Sequence, residues 1–459
     1  MMKPPRVAAN ELARQESMTV PGVAARVAAA AILRDVIVGG HMLDELFAAG
    51  SGFSRLAGLE PRDIALTRSI VTVALRRLGT IRQALASLLD NGLPRPAATQ
   101  IESCLTIAAA QILFLDVPDH AAVDLAVRMM RLDQKTVPYA SLVNGVLRNL
   151  IRRREAVLAD GSPLDQDTPA WLASRWRKTY GEATAQAIAA ANRLEPTLDI
   201  SVKSDPALWA ERLGAILLPT GSLRLLTHRP VTELPGFAEG AWWVQDAAAA
   251  LPARLLRVTP GMKIGDLCSA PGGKAAQLAA RGARVVAVDR SAERLKLLAA
   301  NFQRLRLESE VVVADVVALS GFSFDAVLLD APCSGTGTIR RHPDIAWTKK
   351  PGDIAKLAAL QTRMLDKAFE LVKPGGTIIY CVCSIEPEEG EQQIASLLRR
   401  NPDLMRSPIL AEEVGGLHEL VNLNGELRTL PSHLPAEDSR RAGLDGFFAA
   451  RLVRRDQRS

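Results

Sequence analysis

Five short apolar runs in the second half of the chain constrain the fold more than any other feature. They cover 263–267, 284–289, 311–315, 324–330 and 377–383, each closes on or next to an acid or a cysteine, and stretches with helical spacing separate them. Runs of this length without polar alternation are what strands buried on both faces look like, and their alternation with helices is the βαβ rhythm of a doubly wound parallel sheet. In such sheets ligands bind outside the carboxyl ends of the strands. Asp289, Asp315 and Asp330 are therefore expected at strand ends along one edge, with Cys383 arriving there on the last run. Pro332 fixes its own φ and restricts Ala331, which holds Asp330 and Cys333 in a defined relation.

The turn after the first run reads Gly265-Asp266-Leu267-Cys268-Ser269-Ala270-Pro271-Gly272-Gly273-Lys274 and opens a helix. Small residues let the backbone crowd a ligand, and the free N–H groups of a helix start can meet a carboxylate or phosphate. A P-loop is excluded, because Cys268 stands where its first Gly belongs and Ala275 where its Ser or Thr belongs. The dinucleotide pattern G-x-G-x-x-G is absent too. Asp289 is placed for the hydroxyls of a ribose, and Asp315 for the exocyclic amine of adenine. The pattern fits an adenosyl ligand without a phosphate chain, of which S-adenosylmethionine is the common one.

Cys333 and Cys383, on separate strand tips, suit methylation at carbon. Cytosine C5 is a poor nucleophile until a thiolate adds at C6 and pushes electron density onto it. Helix N-termini and a sulfonium cation would favour the thiolate. Asp330 would meet the ring at N3, and a second thiol or base would remove the C5 proton. A methylase of exocyclic amines would instead carry an Asp-Pro-Pro-Tyr type of loop at Asp330. Zinc wants four ligands in recognisable pairs; Cys381 and Cys383 have no second pair, so no metal is expected. Cys104, Cys268 and Cys381 read as small buried fillers.

From Gly22 to about Arg154 the spacing is helical throughout, with apolar stripes such as Ile101, Leu105, Ala108 and Ile112, and prolines between the stripes. A bundle of roughly five to seven helices is expected. Its last helix sets Arg148, Arg152, Arg153 and Arg154 away from its apolar side, which suits RNA contact and equally suits offsetting the helix dipole. The polar stretch 160–168 marks a boundary. After it come a helix with Arg175, Trp176, Arg177 and Lys178, then short strand-like runs between 196 and 235. The expected organisation is a disordered tail at 1–20, an all-α domain at 21–158, a small α+β connecting piece at 159–235 and the α/β domain at 236–459. The net charge of +6, from 56 basic and 50 acidic residues, permits a polyanionic partner without demonstrating one. No apolar stretch approaches the ~18 uncharged residues of a membrane span, and residues 1–20 lack a secretory core. Five cysteines, an odd number, suggest reduced thiols in the cytoplasm.

The blocks DLCSAPGGK (266–274), VVAVD (285–289), DAPCSGTGTIRRHPDIAW (330–347), YCVCSIEPEEGE (380–391) and GFFAAR (446–451) follow the order found in bacterial RNA cytosine-5 methyltransferases. PDHAAV (118–123) and SLVNGVLR (141–148) resemble the RNA-binding domain of the NusB type. The resemblance implies a Rossmann-like, S-adenosylmethionine-dependent methyltransferase domain behind an all-α NusB-like RNA-binding domain. It implies Cys383 as nucleophile, Cys333 as the thiol that assists release, and Asp330 beside both base and cofactor. Cys268, Ser269, Ala270, Pro271, Gly272, Gly273, Lys274, Asp289 and Asp315 would complete the cofactor set. The implied target is a cytosine of small-subunit (16S) rRNA, unpaired or flipped from its stack. The same reaction on tRNA, and a non-catalytic role as an RNA-binding assembly factor, stand as alternatives. Val382 stands where the family usually has Thr and Gly390 where it usually has Asn, and ISVK (200–203) lacks the family's arginine. Arg340, Arg341 and His342 are expected at phosphates of the flipped nucleotide. Glu388, Glu389 and Glu391 are expected to cap the following helix, and His120 to be a capping or core residue.

Overall fold

The three-and-four spacing of the first third folds as α1 (Val23–Ile37), α2 (Pro61–Arg76), α3 (Leu78–Ala86), α4 (Ala98–Phe114), α5 (Asp119–Arg131) and α6 (Ala140–Arg152), followed by α7 (Ala170–Asn192). The computed structural model describes residues 20–48, 54–89, 92–93, 97–159, 161–227, 229–438 and 441–456. The tail expected at 1–20 lies, but for its last residue, outside them. Helix α4 is buried almost all round, from Ile101 to Leu113, so the other helices need only one apolar face to pack on it. On α6 that face is Val143, Val146, Leu147 and Leu150, each contributing roughly 1.5–3 kcal/mol by leaving water. Arg148 and Arg152 stay exposed. Trp176 is buried at 1% exposure, so it is a packing residue and not a stacking platform.

The first compact unit runs to Arg193 and also takes in His342–Lys349. That segment is held by Trp347, whose Nε1 donates to Leu75 O at 2.8 Å, and by Asp344, which accepts from Leu43 N at 2.9 Å. The second unit comprises Leu194–Arg341 and Lys350–Ser459. The division falls inside the stretch 159–235, with α7 in the first unit.

The second unit starts with a four-stranded antiparallel sheet of β1 (Leu198–Val202), β2 (Ile216–Leu217), β3 (Leu223–Leu225) and β4 (Trp242–Val244), in the order β2-β3-β1-β4. The buried Arg224–Asp199 pair, 2.8 Å apart, ties β3 to β1. Next come β5 (Lys263–Leu267), α8 (Gly273–Ala280), β6 (Arg284–Asp289), α9 (Ala292–Leu305), β7 (Glu310–Val313), β8 (Phe324–Asp330), α10 (Pro351–Leu371), β9 (Val372–Val382) and α11 (Glu391–Arg400). The chain ends with β10 (Leu404–Arg406), β11 (Leu427–Thr429) and β12 (Phe447–Arg454). Strands β5 to β9 run parallel in the order β9-β8-β5-β6-β7, and β12 continues the sheet antiparallel to β9. Antiparallel β10 and β11 both pair with β12. Chain order reverses between β5 and β8, so the crevice at the switch point opens over their carboxyl ends. The sheet is thus the expected α/β doubly wound one, with an antiparallel extension carried by the GFFAAR block. One strand is shorter than expected: β7 stops at Val313, so Asp315 lies beyond it, and its side chain accepts from Val317 N at 2.9 Å.

Candidate active site

Strands β8 and β9 deliver the two reactive stretches side by side. Asp330 is in register with Cys381, and Ala331 N donates to Cys381 O at 3.0 Å. Past the strand ends Gly337 N donates to Cys383 O at 3.1 Å, which keeps the two turns together. A Cβ on Gly337 would lie 1.9 Å from Gly446 O, so only glycine lets the DAPC turn meet the chain entering β12. The outcome is a Cys333 Sγ to Cys383 Sγ distance of 3.4 Å, with both residues half-buried. The hydrogen bond with Cys383, reinforced by burial, pushes the Cys333 thiol well above its ordinary range. Cys381 is fully buried and its thiol is pushed up by burial, while its Sγ lies 3.5 Å from Asp330 Oδ1.

Asp330 is also gripped from the neighbouring strand. Lys274 Nζ, from the first turn of α8, donates to its Oδ2 at 2.7 Å and lies 4.9 Å from the Phe447 ring centre. Burial pulls against the Lys274 ammonium, but Asp330 and the nearby cysteines outweigh it and hold the group above its usual range. The turn itself is built for close approach. Cys268 takes φ 63 and Gly272 φ 101, and a Cβ on Gly272 would come within 2.7 Å of Leu298. The Cys268 thiol is pushed up by burial, which fits a filler better than a nucleophile.

Asp289 ends β6 and is buried, with Oδ2 accepting from Ala270 N at 3.2 Å and Oδ1 from Ser291 N at 2.9 Å. It therefore supports the 268–274 turn directly. Asp266 is buried inside β5, where burial raises its carboxyl to about 7. Its Oδ2 accepts from Ser269 Oγ at 2.7 Å, and among the described residues Oδ1 has no partner. It lines a cleft of about 430 Å³ together with Ser269, Ala270, Pro271, Lys274 and Asp330. A cleft walled by a helix start, with Asp266 and its unpartnered oxygen among the lining residues, fits the amino-acid end of S-adenosylmethionine. Asp289, Asp315, Cys333 and Cys383 are not among the residues lining this cleft.

Two expectations need correction. Arg340 is buried, with NH1 donating to Ala442 O at 2.9 Å, and Arg341 pairs with the buried Asp445. His342 Nδ1 lies 3.2 Å from Asp44. These three side chains serve the protein's own carboxylates and carbonyls before any phosphate. Glu389 does not cap α11: it is fully buried and reaches back to the DAPC turn. Glu391 does sit in the first turn of α11, where it also pairs with Arg428 at 2.7 Å. Nothing in the local sequence distinguishes Glu389 from a helix-start acid, because its partners include Ser334, far back in the chain. Among the described residues no cluster of His, Cys, Asp or Glu could hold a metal ion, and no helix is long and apolar enough to cross a membrane.

A doubly wound sheet whose switch point carries a glycine turn, an acid ending the second strand and a Pro-stiffened acidic loop belongs to the class of S-adenosylmethionine-dependent methyltransferases. Residues 253–453 match the family described as 16S rRNA methyltransferase RsmB/F, and residues 23–152 match the NusB family. Ribosomal RNA small subunit methyltransferase B of Vibrio cholerae is 36% identical over 397 residues, covering 82% of this chain and 90% of its own. Its counterpart in Xylella fastidiosa is 35% identical over 450 residues, covering 94% and 98%. Among solved structures, PH0851 superposes with a TM-score of 0.69 at 22% identity, over 95% of this chain and 99% of that one. The chain belongs to the 16S rRNA methyltransferase RsmB/F family, with a NusB-type helical domain ahead of the catalytic one.

Proposed function

We propose that the protein transfers the methyl group of S-adenosylmethionine to C5 of a cytosine in 16S rRNA, with Cys383 as nucleophile, Cys333 as the base that ends the cycle and Asp330 against the ring at N3. One observation carries this reading: two thiols 3.4 Å apart, beside a carboxylate held by Lys274 at 2.7 Å. The Cys383 thiolate bonds C6 of the cytosine, and the displaced π electrons make C5 nucleophilic. Asp330 hydrogen-bonds the N3 edge as charge builds there. S-adenosylmethionine, which the Cys268 to Lys274 turn with Asp289, Asp315 and Asp330 would hold, would supply an electrophilic methyl group to C5, its S–CH3 bond breaking to leave S-adenosylhomocysteine. C5 then carries both the methyl group and its original hydrogen. Cys333, as thiolate, takes that proton, the C5–C6 double bond re-forms and Cys383 leaves.

The base must reach sulfur from one side, so it is unpaired or flipped out of its stack. Phosphates of the RNA meet the exposed Arg131, Arg148 and Arg152 of the helical unit; among the described residues none of the three is paired with a carboxylate. An rRNA substrate and a mechanism that needs reduced thiols point to action in the cytoplasm. The test is Cys383→Ala assayed on 16S rRNA: methylation and any protein–RNA adduct should both vanish, and a variant that still methylates refutes the assignment.

A further inference from the structure

Glu389 is fully buried, and its two carboxylate oxygens serve both thiol-bearing turns at once. Oε1 accepts from Ser334 N at 2.9 Å and from Gln361 Nε2 at 3.1 Å. Oε2 accepts from Ser384 Oγ at 2.6 Å and also from Ser334 Oγ. Ser334 directly follows Cys333, and Ser384 directly follows Cys383. Gln361 extends the hold, because the same Nε2 donates to Pro332 O at 2.9 Å. The backbone of Glu389 is pinned as well, with Tyr380 OH donating to its carbonyl at 2.6 Å.

We infer that Glu389 is a positioning residue for the methyl-transfer reaction: one buried carboxylate that clamps the residue after each cysteine and so sets the approach of Cys333 to Cys383. This rests on the assignment of the reaction to those two thiols. The physical case lies in the donors. Ser334 N–H has no rotational freedom, and two hydroxyls and an amide converge with it on one carboxylate, so the turns share a single anchor instead of four separate contacts. Hydrogen bonds to a charged acceptor are the short, strong kind, and deleting the acceptor leaves buried donors unpaired. The turns would then settle independently, and the sulfur spacing would be the first thing lost.

The arrangement also states which substitution should be tolerated. At Oε1 both partners are N–H donors, so an oxygen is required there. At Oε2 both partners are hydroxyls, which can rotate and accept. Glu389→Gln, with its oxygen at the first position and its amide nitrogen at the second, satisfies every contact without the charge. Glu389→Ala satisfies none.

The readout is the spacing itself, measured on the full chain without substrate. A diazene oxidant removes the two thiol hydrogens, becomes the hydrazine and leaves a Cys333–Cys383 disulfide, whose rate of formation follows the proximity of the sulfurs. Peptide mapping by mass spectrometry follows that bond apart from any involving Cys381. Glu389→Ala should slow it on the order of tenfold or more while binding of S-adenosylhomocysteine stays near the wild-type value, and Glu389→Gln should restore it to within about threefold. Should Glu389→Ala not fold, Ser384→Ala removes one arm of the clamp and should show the same slowing at smaller amplitude. Wild-type cross-linking rates in Glu389→Ala, or in Ser384→Ala where that variant stands in, overturn the inference, as does a Glu389→Gln variant as slow as Glu389→Ala. The function reading fails on a different result, retained methylation by Cys383→Ala, so the two remain separable.

Discussion

Replacing Cys333 by Ala should convert a turnover enzyme into one that traps its substrate. Among the described residues, the only sulfur hydrogen-bonded to Cys383 is that of Cys333, at 3.4 Å. The other acids nearby are already engaged: Asp330 by Lys274 at 2.7 Å and Cys381 at 3.5 Å, and Glu389 by Ser334, Ser384 and Gln361. Removing a positioned general base with no stand-in costs about 10² to 10⁴ in rate, or roughly 3–5 kcal/mol on the release step. Folding should suffer little, because losing one half-buried sulfur costs about 1 kcal/mol or less. The assay mixes enzyme, S-adenosylmethionine and a 16S rRNA fragment and resolves protein–RNA adduct on a denaturing gel. Cys333→Ala should accumulate adduct approaching one per enzyme, and the Cys333→Ala/Cys383→Ala pair should show none. The pH dependence adds a second signature. In the free protein the bond to Cys383 and then burial hold the Cys333 thiol well above its ordinary range; the adduct consumes Cys383 but keeps the burial, so the thiolate fraction of Cys333, and with it wild-type release, should rise with pH through neutrality. In the Ala variant the residual release should be flat. A Cys333→Ala enzyme that turns over within about threefold of wild type and leaves no adduct refutes the argument, since some other group must then take the proton.

Three further outcomes test the surroundings. Burial raises Asp266 to about 7 in the folded protein, above the unfolded value near 3.9, so its contribution to stability is complete below about pH 4 and is lost as pH rises through 7. Asp266→Asn should therefore gain stability over wild type above pH 7, by at most about 4 kcal/mol; thermal melts at pH 5 and pH 8 that show the same difference at both would contradict this. Gly337→Ala would put a Cβ 1.9 Å from Gly446 O and strain the 2.7 Å bond from Gly446 N to Gly337 O. It should lower stability by at least about 2 kcal/mol, and an unchanged denaturant midpoint would count against that close approach. Arg148→Gln with Arg152→Gln should reduce the salt dependence of binding to single-stranded rRNA by about 1.4 in slope. If affinity and slope both stay the same, these arginines do not face RNA.

Periodicity made the architecture legible. Apolar runs without alternation read as interior strands, and because strand ends follow from where such runs stop, Asp289, Asp330 and Cys383 could be set on one sheet edge from the sequence alone. The helical domain was legible for the same reason, from stripes at steps of three and four. Contacts between distant segments were not. Glu389 reads locally as one of several acids opening a helix, yet it faces Ser334 on a neighbouring strand's turn. Arg340 and Arg341 read as free cations but meet Asp246 and Asp445, which no spacing rule connects to them. Local pattern determines which face of an element is apolar and where it ends, because those depend on neighbours a few residues away. Which buried charge meets which donor depends on how the strands are ordered across the sheet. Sheet order brings Cys333 and Cys383 together from turns 50 residues apart, and only the folded chain could decide that.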